Sequence, residues 1–352
     1  MMTFTTKQGG LSLIEMMIGI AVGLLALLAV TTIYVKFHKS RTVETSLMET
    51  QSNGAMALYL LERDIDRAGY GFMNLQDCSC NTAAPSNFAF CETFAPNPTS
   101  AVPVLPLVIS NNAVNAAGGD NIYVQYGAPN GGLSNTTVYN TNALVTDDFT
   151  LKSAAGIVNG DIVVMKHAGH CAEYQVSAIP AVNSGVWTVN HAHSGVTPVN
   201  PTAAMAGYDV ATAEDQLVNL GQYVSKNFYV GASAQLMQNT RPTYANDSAV
   251  VDNIVYMKAE VGLDTDGDHV ADTWQGVVPV NADYSKVMAV RVGLVSRTQV
   301  KDSDSPTPAT LEVLPAITGG GVQNYNVPDT KYRYKVYYSI IPLRNMIWNQ
   351  LP

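Results

Sequence analysis

Three groups of residues have the types and spacing that could do chemistry. The first is a lone carboxylate, Glu15, inside Leu11–Val35, a run of 25 residues with no other charge and no proline. At a bilayer centre a charged side chain costs about 2.5–3.5 kcal/mol, so an acid kept there calls for a partner. The second is Asp264-Thr265-Asp266-Gly267-Asp268-His269-Val270-Ala271-Asp272. Carboxylates at its first, third, fifth and ninth places, with the Val270 carbonyl at the seventh, are hard oxygen donors in the order of a calcium loop. Against Ca2+, His269 stands where such loops place glycine and Gln275 replaces the bidentate glutamate. A plain Asp/Gly hairpin turn between a strand ending at Leu263 and one around Trp274 uses the same residues. Four carboxylates at its tip would repel one another without a cation, and both readings stand. The third group is Cys78, Cys80, Cys91 and Cys171, with His167, His170, His191 and His193 near the last cysteine. Their spacing matches no zinc pattern.

No nucleophile elbow, phosphate-binding glycine loop or metalloprotease helix is present, so no catalytic residue and no enzyme activity are expected. A net charge of −9 argues against nucleic acid as a partner. The 18 tyrosines suit strand packing or protein recognition.

The elements that hold these groups follow from pattern. As a helix, the apolar run is about 37 Å long, enough to cross a membrane once. Only the polar leader MMTFTTKQGG, residues 1–10, lies upstream, and its Gly9-Gly10 pair precedes the apolar segment, unlike a secretory signal peptide. Lys36, Lys39 and Arg41 follow the run, so charge bias alone would orient the helix with its far end in the cytoplasm. Leu47, Gly54, Leu58, Leu61, Ile65 and Ala68 continue at three- and four-residue steps, the stripe of a helix packed on a domain. One rod from Leu11 to Ala68, capped by Gly69, would be about 87 Å long. It divides into a membrane or filament-core part, 11–35, and an amphipathic part, 36–69. Gly19 and Gly23 weaken the first part or let helices approach closely.

From residue 70 to 352 the chain reads as a β-rich head, in one domain or two lobes. Strands are expected at Asn121–Tyr126, Asp161–Met165, Met288–Leu294, which alternates with period two, and Lys335–Ile341. Asn130–Asn142 and Asp302–Val327 read as long surface loops. The fold class is α+β, a long amino-terminal helix packed on a β-rich head.

Gly10 followed by Leu11-Ser12-Leu13-Ile14-Glu15 and the apolar run resembles the type III signal of type IV prepilins and type II secretion pseudopilins. The resemblance implies a pilin-like fold and cleavage after Gly10 by prepilin peptidase on the cytoplasmic side, with methylation of the new amino terminus. The family usually has phenylalanine where this chain has Leu11. Glu15 would then pair with the free amine on Leu11 of a neighbouring subunit. Under this topology the four cysteines face an oxidising compartment, which favours two disulfides. A Cys78–Cys80 bridge would close a very tight ring, which favours linking Cys171 to the early loop.

Leu61-Glu62-Arg63-Asp64-Ile65-Asp66-Arg67-Ala68-Gly69-Tyr70-Gly71 resembles the helix end of PilW minor pilins. Val261–Asp268, the strand with Arg291, and Leu343-Arg344-Asn345 are similar to later landmarks of that family. The resemblance implies an inner-membrane protein with a periplasmic head that then joins the pilus at the cell surface. Implied partners are other minor pilins, the major pilin and a large tip adhesin, with roles in assembly initiation, adhesion and twitching motility. The alternatives are a GspJ-like pseudopilin of type II secretion and, in another class, a stand-alone membrane-anchored adhesin.

Overall fold

A computed structural model describes residues 12–72, 106–111, 115–129, 134–139, 142–143, 148–167, 170–191, 210–211, 215–240, 247–276, 286–302 and 306–348. The leader, including Gly10, and Leu11 lie outside the described residues, as do Cys78, Cys80, Cys91 and His193.

The first element, α1 (Leu13–Ile65), is one unbroken helix of 53 residues, about 80 Å long. It stops three residues short of the expected Ala68. Past Ile65 the backbone tightens to three-residue bonds, Arg67 to Asp64 and Ala68 to Ile65. Gly69 then takes φ +77° and donates to the Gln125 carbonyl at 2.9 Å, which turns the chain out of the helix and onto the head.

Strands fill most of the other described residues. The first are β1 (Leu107–Asn111), β2 (Asp120–Tyr126), β3 (Ser134–Thr137), β4 (Asn142–Ala143), β5 (Phe149–Leu151), β6 (Ile162–His167) and β7 (His170–Gln175). Next come β8 (Ala181–Asn183), β9 (Val186–Val189), β10 (Val210–Ala211), β11 (Gln216–Gly221), β12 (Val224–Val230), β13 (Gln235–Thr240) and β14 (Ser248–Asp252). The last are β15 (Ile254–Leu263), β16 (Thr273–Gln275), β17 (Val287–Arg297), β18 (Thr310–Leu314), β19 (Gln323–Asn326) and β20 (Tyr334–Pro342), followed by a short helix α2 (Arg344–Trp348). All the strand pairs are antiparallel.

Two hydrophobic cores result among the described residues. In the larger, Ala57, Leu61 and Ile65 of α1 meet side chains from two sheets, β1-β2-β12-β13-β14 and β16-β15-β17-β20. The smaller gathers Phe149, Leu151, Met165, Tyr174, Val189 and Leu217 from the sheets β3-β11-β6-β7 and β5-β9-β8.

Two expectations change here. Every residue of β17 except Arg297 is buried, so its alternation does not mark one wet face. Val290, Val292 and Leu294 join the core under α1, whereas Gly293 on the opposite face lies against Val313 of β18. The stretches expected as loops also contain structure. Asn130–Asn142 holds β3 and the start of β4, and Asp302–Val327 holds the β18–β19 hairpin, where Val313 and Leu314 are fully buried. Only two apolar side chains of that hairpin are fully buried, too few to be seen in a polar segment.

Candidate functional site

Among the described residues, the membrane-length half of α1 packs on no other element. Sixteen large apolar side chains from Leu13 to Phe37 are 56–79% exposed. At about 1.5–3 kcal/mol for each such side chain moved out of water, covering them is worth on the order of 20 kcal/mol or more. Polar groups in this half are satisfied within the helix: Thr31 donates to the Leu27 carbonyl at 2.7 Å and Thr32 to that of Ala29 at 3.1 Å. Glu15 sits in the first turn, and its carboxylate accepts the Ser12 N–H at 3.1 Å, one arm of a capping box. The charge also faces the positive end of the helix dipole.

From Val43 onward α1 is seamed to the head. Its inward positions are Val43, Ser46, Thr50, Gly54, Ala57, Leu61, Asp64 and Ile65, while the expected Leu47 and Leu58 are half-buried. Apolar periodicity found Gly54, Leu61, Ile65 and Ala68 of this face, and it missed Ser46, Thr50 and Asp64 because they are polar. Thr50 returns its hydroxyl to the Ser46 carbonyl at 2.7 Å, and the Ser46 hydroxyl accepts the Gln299 N–H at 3.0 Å. Asp64 accepts from Lys226 of β12 at 2.7 Å. Gly54 is where the ring of Tyr337 crosses the helix: a Cβ there would stand 2.1 Å from Cε2 of that ring. The Tyr337 hydroxyl donates to the Gln51 carbonyl at 3.0 Å. At the end of the seam Asn345 donates to the Ala68 carbonyl at 3.1 Å, joining the Arg-Ala-Gly-Tyr stretch to Leu343-Arg344-Asn345.

The second constellation is a buried ion pair that charge pattern did not single out. Arg291 is fully buried, and its Nε donates to Glu260 at 2.8 Å. Its remaining donors reach the carbonyls of Pro315 at 2.9 Å and Gly321 at 2.8 Å, and Gln323 donates to the other Glu260 oxygen at 2.7 Å. The guanidinium therefore ties β15 and β17 to the β18–β19 hairpin with its hydrogen bonds satisfied. A signal was available: Lys258, Glu260 and Arg291 are charges inside long apolar strands. Lys258 bonds Asp120 at 3.0 Å, as does the Ala259 N–H, which links the two large sheets.

The aspartate loop joins β15 to β16, with Leu263 opposite Thr273 in the hairpin. Asp264, Asp266 and Asp268 come together, one carboxylate oxygen of each lying within 4.8 Å of the others. Asp272 is held elsewhere, accepting from the Thr265 N–H at 2.6 Å and its hydroxyl at 2.8 Å. Val270 gives its N–H to Asp268 at 2.8 Å and exposes its side chain. Asp264 accepts the N–H groups of Gly267 at 2.6 Å, His269 at 2.9 Å and Asp266 at 3.2 Å. Burial works to raise the Asp264 pKa, but those N–H groups, led by Gly267, outweigh it and leave it below the ordinary 3.8. His269 takes φ +65° at the place where calcium loops use glycine.

Cys171 lies in β7, paired in register with Lys166, and His167 is the register partner of His170 at the end of the same ladder. His191 lies in the smaller core, stacked on Phe149 at 4.3 Å between ring centroids. It is thus a packed aromatic of that core.

Comparison with known proteins bears on the seam and the sheets it joins. No curated protein matches the chain. Among solved structures, a type IV-like pilin from Thermus thermophilus is similar over 54% of this chain and 85% of its own, at 10% identity and a TM-score of 0.25. Residues 223–345, which run from β12 into α2 and include the Arg291 pair, the aspartate loop and the strand that receives α1, match the family model described as Type IV Pilus-assembly protein W, PilW.

Proposed function

We propose that this chain is a minor pilin of the PilW type, cut after Gly10, methylated on Leu11 and built into a type IV pilus. The exposed apolar half of α1 carries this reading, because its side chains need lipid first and other helices afterwards. Before assembly that half anchors the chain in the inner membrane with the head in the periplasm. Assembly then moves it among the helices of other minor pilins and the major pilin, near a large tip adhesin. There it serves initiation of the fibre, adhesion and twitching motility. The PilW match over 223–345 supports the choice of a pilus over a stand-alone anchor.

Glu15 has two roles to separate. Its bond to the Ser12 N–H stabilises the helix start by about 1 kcal/mol. Its negative charge pairs with the Leu11 amine of the neighbouring subunit. Glu15→Gln keeps an acceptor for the cap and removes the charge. The variant is expected to be cleaved and retained in membranes but strongly depleted from sheared filaments. Wild-type recovery in filaments would leave Glu15 a helix cap only. Amino-terminal sequencing tests the rest: a mature chain starts at methylated Leu11, and an intact Met1 in working protein overturns the assignment.

A further inference from the structure

Lys36, Lys39 and Arg41 follow the apolar run closely, in a chain whose net charge is −9. A hydrocarbon layer of about 30 Å takes roughly 20 helical residues, so counted from Leu13 these cations stand at headgroup depth. Two ring contacts mark the same level. Tyr34 and His38 lie 4.4 Å apart between ring centroids, and the Arg41 guanidinium sits 4.8 Å over the Phe37 ring. Aromatic and basic side chains collect where a membrane meets water. With the head in the periplasm, the cations stand on the side that the positive-inside rule disfavours, and they call for a counter-charge.

Lys36, Lys39, Val43 and Leu47 follow one another at three- and four-residue steps, so both lysines lie on the flank of α1 that Val43 carries under the head. There they line a cavity of about 420 Å³ closed on the other side by Asp302 and Arg333 of the head. A volume of this size suits a small ligand. Arg333 donates to Asp302 through Nε at 2.7 Å and again through Nη2, which takes up that carboxylate. Glu44, the other acid of the lining, accepts the Ser40 hydroxyl at 3.3 Å. The two lysines outweigh it, and the lining is positive.

We infer that this cavity holds the phosphate of an anionic phospholipid while the chain is anchored in the membrane. The inference rests on the membrane stage of the reading above. Charge complementarity and depth select the occupant: a basic cavity beside the end of a membrane-length helix opens where lipid phosphates are concentrated, and each lysine near an anionic surface gains from their charge. The acyl chains then run down along the exposed apolar side chains of α1. Such a lipid wedges between the helix and the underside of the head.

The test uses the full chain, purified in a neutral detergent and offered equal amounts of phosphatidylglycerol and phosphatidylcholine with matched acyl chains. Native mass spectrometry counts the lipids retained. We expect phosphatidylglycerol to be kept over phosphatidylcholine by roughly tenfold, and Lys36→Gln combined with Lys39→Gln to bring the ratio near one. Arg41→Gln removes a charge at the same depth but outside the cavity, and most of the preference should survive it. An equal fall in Arg41→Gln means general attraction to the surface and overturns the cavity. Preference abolished by excess inorganic phosphate makes the ligand a free phosphate and overturns the lipid. A double variant that keeps its lipid but is lost from filaments gives the lysines to an acidic face of another subunit, which also overturns it. Should the double variant be degraded, Lys36→Gln alone decides in its place. A membrane-bound wild type with no preference overturns the inference and leaves the membrane reading standing. Wild type recovered from cells in the soluble fraction overturns both.

Discussion

The two halves of α1 share one backbone conformation and almost nothing else. From Leu13 to Phe37 the large apolar side chains stand clear of the head, whereas from Val43 to Ile65 an inward face with Ser46, Thr50 and Asp64 is buried. Hydrophobicity and burial run in opposite directions along a single helix. In the first half the partner is another phase or another molecule, so sequence can be apolar all round. In the second the partner is this chain's own sheet, and polar residues are admitted because Gln299 and Lys226 are placed to satisfy them.

The sharpest way to break this contrast is Asp64→Ala. It leaves Lys226, whose side chain is 16% exposed, facing a largely buried void. The expected loss is about 3 kcal/mol or more of head stability, read as a lower melting temperature in detergent, with membrane retention intact. Leu25→Asp should do the reverse. An added carboxylate mid-span costs about 3 kcal/mol of insertion, seen as loss from the membrane fraction, while head melting stays at the wild-type value. Gly54→Ala is the smallest of the three. Its methyl group displaces the Tyr337 ring and its bond to Gln51, for about 1–3 kcal/mol in chemical denaturation. A melting temperature unchanged in both seam variants would mean that α1 does not pack on the head.

What could be read in advance follows the same division. The apolar run, its acid and the strands β2, β17 and β20 were legible because each is a long local pattern. The apolar part of the inward face of α1 was legible too, but its polar members were not, since Asp64 and Lys226 are 162 positions apart and only the fold makes that aspartate a core residue. The β18–β19 hairpin hid in a polar segment because only two of its apolar side chains are fully buried. The Arg291–Glu260 pair was visible as charges within apolar strands, but their partnership is a matter of register. In the aspartate loop the turn was legible, and the diversion of Asp272 to Thr265 depended on how that turn closes.

The seam also fixes how the molecule answers force. Its attachments, from Ser46 through Tyr337 to Asn345, are strung along the axis of α1 instead of being gathered at one point. A tug on the amino-terminal end parallel to that axis strains them together, in shear, and must slide the rod along the sheet before any single contact is freed. Pulling sideways would instead peel them away in sequence, so the joint is strong in one direction and weak in the other.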